Sequence, residues 1–188
     1  MKKFVIAFLV LMQAPIAYAR NIDGVAVPEN ISLSGVKAPL ALNGAGLRTR
    51  YMAKVYVAAL YLAQPATQPE HILDSSSARL MAIHMRRDTD AEQIASAFLA
   101  SVLKNHDRTE MQSLQDRLTK FKLMIPAMKR NDVLHLEFTP DGETRVAVNN
   151  HLRGMLPGPD FQRALLRIWL GHKPVDDGLK RALLGARM

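Results

Sequence analysis

The eight residues Val55–Leu62 (VYVAALYL) constrain the fold of this chain more than any other stretch. The run carries no charged side chain and offers no polar face to water, so it reads as a strongly buried β-strand, closed by Pro65. Two shorter β candidates precede it, Val25–Val27 and Leu40–Leu42. Between Leu42 and the long run, Gly44-Ala45-Gly46 breaks the pattern, and a bulge or bend is expected there. A short helix is expected at Glu70–Leu73 after Pro69, then another strand at Leu80–Met85.

The period then changes. From Ala91 to about Lys104, the residues Ile94, Ala97, Phe98, Ser101 and Val102 fall at helical spacing, with Asp90 or Thr89 placed to cap the helix. A second helix is expected from about Glu110 to Leu123, with Met111, Leu114, Leu118 and Phe121 on one face. Strands return at Val133–Phe138 and Thr144–Val148, joined by the hairpin signal Asp141-Gly142, and a short one follows near Arg153–Leu156. Helices at Phe161–Trp169 and Asp176–Leu184 close the chain, stopped by Gly171 and Gly185. Strands, helices, strands, helices is an α+β order, with helices packed on one face of a mostly antiparallel sheet.

The N-terminus reads as an export signal. Lys2 and Lys3 precede an apolar stretch from Phe4 to about Met12; Pro15 breaks it, and Ala17-Tyr18-Ala19 is a small-x-small cleavage pattern. The apolar core is shorter than the roughly 20 residues a membrane span requires. Residues 1–19 are therefore expected to be a cleaved signal peptide, and residues 20–188 one domain working in the periplasm, with no stable membrane insertion. The chain has no cysteine, which excludes thiolate nucleophiles, thiolate metal sites and iron–sulfur clusters and leaves stability to the core. The formal net charge is +8, two units of it in the leader lysines, and the basic residues are scattered. That balance favours solubility and suits an anionic ligand or membrane surface; nucleic acid is not expected as a partner. Oligomeric state is left open.

No GxSxG elbow, phosphate-binding loop, HExxH or dinucleotide fingerprint occurs, and neither a metal nor a cofactor is expected. No two of the six histidines are four apart on one helix; His84 and His135 sit in predicted strands and read as half-exposed strand residues. Asp176-Asp177 stands where the last helix begins, which assigns it to capping.

Arg48 and Tyr56 stand apart. Arg48 follows the glycine-containing bend, and Tyr56 lies near the start of the buried strand. A buried phenol needs a hydrogen-bond partner, and an arginine aimed at an apolar interior needs an anion. Together they make a candidate carboxylate site, the guanidinium supplying a fork of donors and the phenol one more. The alternative is an exposed Arg48 beside a core Tyr56, because strand face reverses with a one-residue slip.

Gly44-Ala45-Gly46-Leu47-Arg48 and the run Lys54–Leu62 resemble the chalcone isomerase family. So do the helix Ala91–Val102, the hairpin at Asp141-Gly142, and the ending Ile168-Trp169-Leu170-Gly171…Pro174-Val175…Leu179…Leu183-Leu184-Gly185. More specifically, the residues resemble its bacterial exported, chalcone-isomerase-like branch, over residues 25–185. The resemblance implies an open-faced β-sandwich, a large antiparallel sheet covered by a layer of helices, with the ligand in a cleft between them. Arg48 matches the arginine that activates a phenolate in the plant enzymes. The other catalytic positions depart from that pattern: Tyr56 replaces a threonine, and Asp90, Gln93 and Ala97 replace a tyrosine, a lysine and an asparagine. Ile168 and Trp169 stand where a hydroxyl residue precedes the glycine. A second branch of the family binds fatty acids without catalysis through an arginine and a tyrosine on neighbouring strands, and Arg48 and Tyr56 resemble that pair. The resemblance therefore implies a non-catalytic binder of a small amphipathic carboxylate such as a fatty acid. The alternatives are an isomerase or intramolecular lyase on another substrate, or an interaction module whose cleft is closed by Trp169, Met or Phe side chains.

Overall fold

A computed structural model describes residues 19–186, so the expected signal peptide, save Ala19, lies outside the described residues. Seven antiparallel strands follow one another across a single sheet: β3 (Asn30–Ile31), β4 (Leu40–Arg50), β5 (Ala53–Leu62), β6 (Arg79–Met85), β7 (Val133–Phe138), β8 (Glu143–Val148) and β9 (His151–Pro157). Before them, β1 (Ala19–Ile22) and β2 (Val25–Pro28) form a separate two-stranded hairpin. The helices are α1 (Pro69–Leu73), α2 (Ala91–Leu103), α3 (Arg108–Met124), α4 (Pro159–Leu170) and α5 (Asp177–Leu183). This is the expected α+β arrangement of a large antiparallel sheet covered by helices.

The composition of β5 follows from its place. Tyr56, Ala58, Leu60 and Leu62 pack on the helical side, with Phe161, Leu165, Ile168 and Trp169 of α4. Val57, Ala59 and Tyr61 pack on the opposite side, where Val27, Val25 and Ile22 of the β1–β2 hairpin cover the sheet. A strand covered on both faces has no use for polar alternation. The hairpin is held down by the Tyr61 hydroxyl, which donates to the Pro28 carbonyl at 3.0 Å. Its turn residue Asp23 pairs with Arg86 at 3.0 Å and with Lys54.

Helices α2 and α3 fill the excursion between the neighbouring strands β6 and β7, closed at its base by a Thr89–Met128 bridge. Asp90 caps α2 by accepting from the Gln93 amide at 2.7 Å. Asp107 starts α3 with a reciprocal capping box to Glu110. Asp176 caps α5, accepting from the Leu179 amide at 2.8 Å, as its position predicts. Where α1, α4 and β6 meet, the buried Arg79 guanidinium donates to the Ile72 carbonyl and to the Gln162 side chain, both at 2.7 Å.

Strand β4 differs from the expectation at Gly44–Gly46. The strand runs through both glycines; the irregularity lies one residue earlier, where Asn43 is extra between the pairs Leu42–Tyr61 and Gly44–Leu60. The bulge frees the Asn43 amide to donate to the Ala66 and Leu183 carbonyls at 2.9 and 2.8 Å. The glycines serve a different end. A Cβ on Gly44 would stand 2.0 Å from the Ala182 carbonyl oxygen, so α5 lies directly against the strand backbone. A second irregularity makes Val55 the extra residue between Arg48–Tyr56 and Thr49–Lys54.

Candidate functional site

A cavity of about 660 Å³ lies between the helical side of the sheet and the helices, a size usual for small-molecule sites. Its walls come from the Val55–Tyr56 end of β5, Ile83 and Met85 of β6, Leu134 of β7, the Gln93–Ser101 face of α2, and Ile168 and Trp169 of α4. Most of these side chains are apolar. Among the described residues, the charged groups in the lining are all arginines, Arg48, Arg50 and Arg87, with no carboxylate.

Two buried polar atoms of this lining have no hydrogen-bond partner: Arg48 Nε and Thr89 Oγ1. Buried donors are rarely left unmade, and a guanidinium N–H in an apolar wall is among the costliest to leave so. Arg48 and Tyr56 are direct cross-strand partners in the β4–β5 ladder. The guanidinium carbon stands 5.4 Å from the Tyr56 ring centroid, a cation–π arrangement.

Tyr56 is 8% exposed. Its hydroxyl oxygen accepts a hydrogen bond from Trp169 Nε1 at 2.9 Å. The indole has only that one proton to give, so the phenolic O–H remains available as a donor. Burial pushes the phenol above its ordinary pKa, against the smaller lowering effect of the Arg48 charge; it is a neutral donor at pH 7. Trp169 therefore does not close the cleft. It forms part of the wall and orients the tyrosine.

The departures from the plant pattern fall around the same cavity. Gln93, Ala97 and Ile168 line it, while the Asp90 carboxylate is occupied in capping α2. Thr89 reads from the sequence only as a cap. Asp90 takes that role and leaves the threonine hydroxyl in the cavity wall, a position that only the packing reveals.

His84 and His135 lie away from the cavity. Their strands are neighbours, with His84 opposite Val133 and Ala82 opposite His135, so the two imidazoles are diagonal neighbours on the hairpin side of the sheet. Burial, with a smaller effect of the nearby His135, pulls His84 down to about 4, and burial also lowers His135. Among the described residues no group of three or more His, Asp or Glu side chains is placed to hold a metal ion.

A family model described as chalcone isomerase-like matches residues 19–185. No curated protein matches the sequence. Among solved structures, the chain is similar to a fatty-acid binding protein of Arabidopsis thaliana at TM-score 0.67 and 16% identity, over 86% of this chain and 92% of that one. At that identity the likeness speaks for the fold.

Proposed function

The chain belongs to the chalcone isomerase-like family, and from that premise we propose that it is a periplasmic, non-catalytic binder of a small amphipathic carboxylate, with a fatty acid as the ligand class. One observation carries this reading: a half-buried arginine, its Nε without a partner, opens into an apolar cavity that contains no carboxylate. A ligand carboxylate would take the guanidinium fork and the free Tyr56 proton, and its chain would lie along Phe98, Ile94, Leu134 and Ile168. The Arabidopsis protein of similar fold is a fatty-acid binding protein, which supports the same ligand class.

What surrounds Arg48 supports binding without turnover. Ring closure on a chalcone needs groups that orient the substrate and a cation near the developing charge. In place of the family's lysine, asparagine and hydroxyl residue, Gln93 brings no charge, and Ala97 and Ile168 offer the substrate no hydrogen bond.

The test is native mass spectrometry of the exported protein with extraction of whatever it carries. A monocarboxylic lipid adduct, absent from Arg48→Ala, is expected. Wild-type protein that is recovered empty and fails to take up a fluorescent fatty acid overturns the reading.

A further inference from the structure

The cavity reaches solvent beside the β4–β5 turn, Tyr51-Met52, where its lining residues Arg50, Tyr51 and Arg87 are exposed. Both residues have left-handed backbone, φ 48° and 63°, in the two-residue turn geometry that Asn-Gly serves best. Both side chains stand in solvent, 90% and 99% exposed, beyond every other large exposed apolar residue among those described. Neither residue suits its backbone, and neither buries its side chain. The pair contributes to the fold in neither way.

The surroundings are basic. The Arg50 guanidinium lies 5.2 Å from the Tyr51 ring centroid, and Arg50, Tyr51 and Arg87 line the cavity. The nearby carboxylates are already engaged: Asp23 with Lys54 and Arg86, and Asp88 with Lys129 and the Arg130 amide. Arg50 and Arg87 have no ion-pair partner among the described residues. An apolar tip flanked by unpaired guanidinium groups matches the interface of an anionic bilayer, where apolar side chains enter the acyl boundary and arginines meet headgroup phosphates.

We propose that the Tyr51-Met52 tip, with Arg50 and Arg87, docks the open end of the cavity on an anionic lipid surface. Docked in this way, the cavity exchanges an amphipathic carboxylate with the bilayer without exposing its chain to water. The purpose rests on the binding function proposed above; the docking itself is measured independently of it. Among the described residues no helix is long and apolar enough to cross a membrane, and the attachment proposed is peripheral.

The experiment is co-sedimentation of the full chain, as recovered after export, with vesicles of equal parts phosphatidylcholine and phosphatidylglycerol, beside vesicles of phosphatidylcholine alone. Wild type should bind the anionic vesicles about tenfold more strongly than the neutral ones, and added salt should weaken that binding. Met52→Gly suits the left-handed turn and removes only the apolar side chain. It should lower anionic-vesicle binding about tenfold, with fatty-acid uptake in solution unchanged and thermal stability unchanged or slightly raised. Arg48→Ala should do the reverse, losing the fatty acid and keeping the vesicles, so failure of the ligand site and failure of the docking surface are distinct results. Wild type that ignores anionic vesicles, binds both kinds alike, or binds no better than Met52→Gly overturns the proposal.

Discussion

The Arg48 guanidinium lies over the ring of its direct cross-strand partner Tyr56, 5.4 Å from the ring centroid. Register makes the two residues neighbours, and the extra residue Val55 beside them shifts the pairing just beyond. Trp169, from the far side of the core, then fixes the phenol oxygen at 2.9 Å. The cation, the ring and the indole form one continuous wall of the cavity.

That wall sets different outcomes for three substitutions. Arg48→Ala removes a charged donor and should weaken fatty-acid binding by roughly one to two orders of magnitude. Arg48→Lys should recover only part of the loss, since an ammonium cannot reproduce the fork. Tyr56→Phe should cost about tenfold in affinity. It should also cost about 1–2 kcal/mol in stability, because it strands the Trp169 N–H in the core. Fluorescent fatty-acid titration and urea unfolding of the same four proteins separate the two effects. Equal affinity in all four would remove the ligand site.

Chalcone should not be turned over. Arg48 is present, but the cavity holds Gln93, Ala97 and Ile168 where the plant enzymes orient and polarise the substrate. Loss of such positioning typically lowers a rate by several orders of magnitude. Loss of chalcone absorbance should match the uncatalysed background. Stereoselective flavanone formation that disappears in Arg48→Ala would establish an enzyme instead.

Gly44 tests the fold rather than the site. A Cβ there would meet the Ala182 and Leu183 carbonyl oxygens at 2.0 and 2.7 Å, and both are backbone atoms that cannot swing aside. Gly44→Ala should push α5 off β4 and cost about 2–3 kcal/mol, within the range for overpacked cores. Gly35→Ala is a useful comparison. Nothing lies within 4 Å of its added Cβ, so its cost should come only from the left-handed backbone, φ 81°. Urea midpoints of the two variants check this, and a Gly44→Ala protein as stable as wild type would mean that α5 does not sit so close.

The long apolar run, the two helical periods and the caps at Asp90 and Asp176 were legible because each is a local pattern with one physical reading, whereas the capping box that starts α3 at Asp107, ahead of the expected Glu110, was not read. Strand β1 was not: Ala-Arg-Asn-Ile has no apolar alternation, and it pairs only because Asp23-Gly24 turns the chain back, with φ 50° and 78°. That Asp-Gly was a readable hairpin signal of the same kind as Asp141-Gly142. The bulge at Asn43 left no such trace, because it is fixed by contacts to Ala66 and Leu183, far along the chain. In the site, strand order brought Arg48 and Tyr56 within reach of inference. The Trp169–Tyr56 hydrogen bond and the orphaned Thr89 hydroxyl depend on how α4 and α2 pack, which no local pattern encodes.

The histidines on the hairpin side give the protein an acid sensitivity of a definite sign. His84 titrates near 4 in the fold, held down first by burial, against an ordinary value of 6.5, and burial moves His135 in the same direction. The unfolded chain therefore binds protons that the folded chain refuses as pH falls below about 6.5. By linkage the contribution of these two histidines falls with pH through that window and levels off only below the folded value, opposed in part by Glu137, whose carboxyl is pushed up by burial. Because His84 is not fully enclosed, the loss between pH 7 and 5 should be about 1 kcal/mol, less than its full shift would give. His84 Nε2 has no hydrogen-bond partner, so His84→Leu should leave stability at pH 7 unchanged or slightly raised while flattening the slope between pH 7 and 5. That interval lies above the range in which the lowered carboxylates Asp88 and Asp160 take up protons, so they do not contribute there. Urea midpoints of wild type and His84→Leu at the two pH values measure the difference. The same slope in both proteins would mean that the acid sensitivity resides elsewhere.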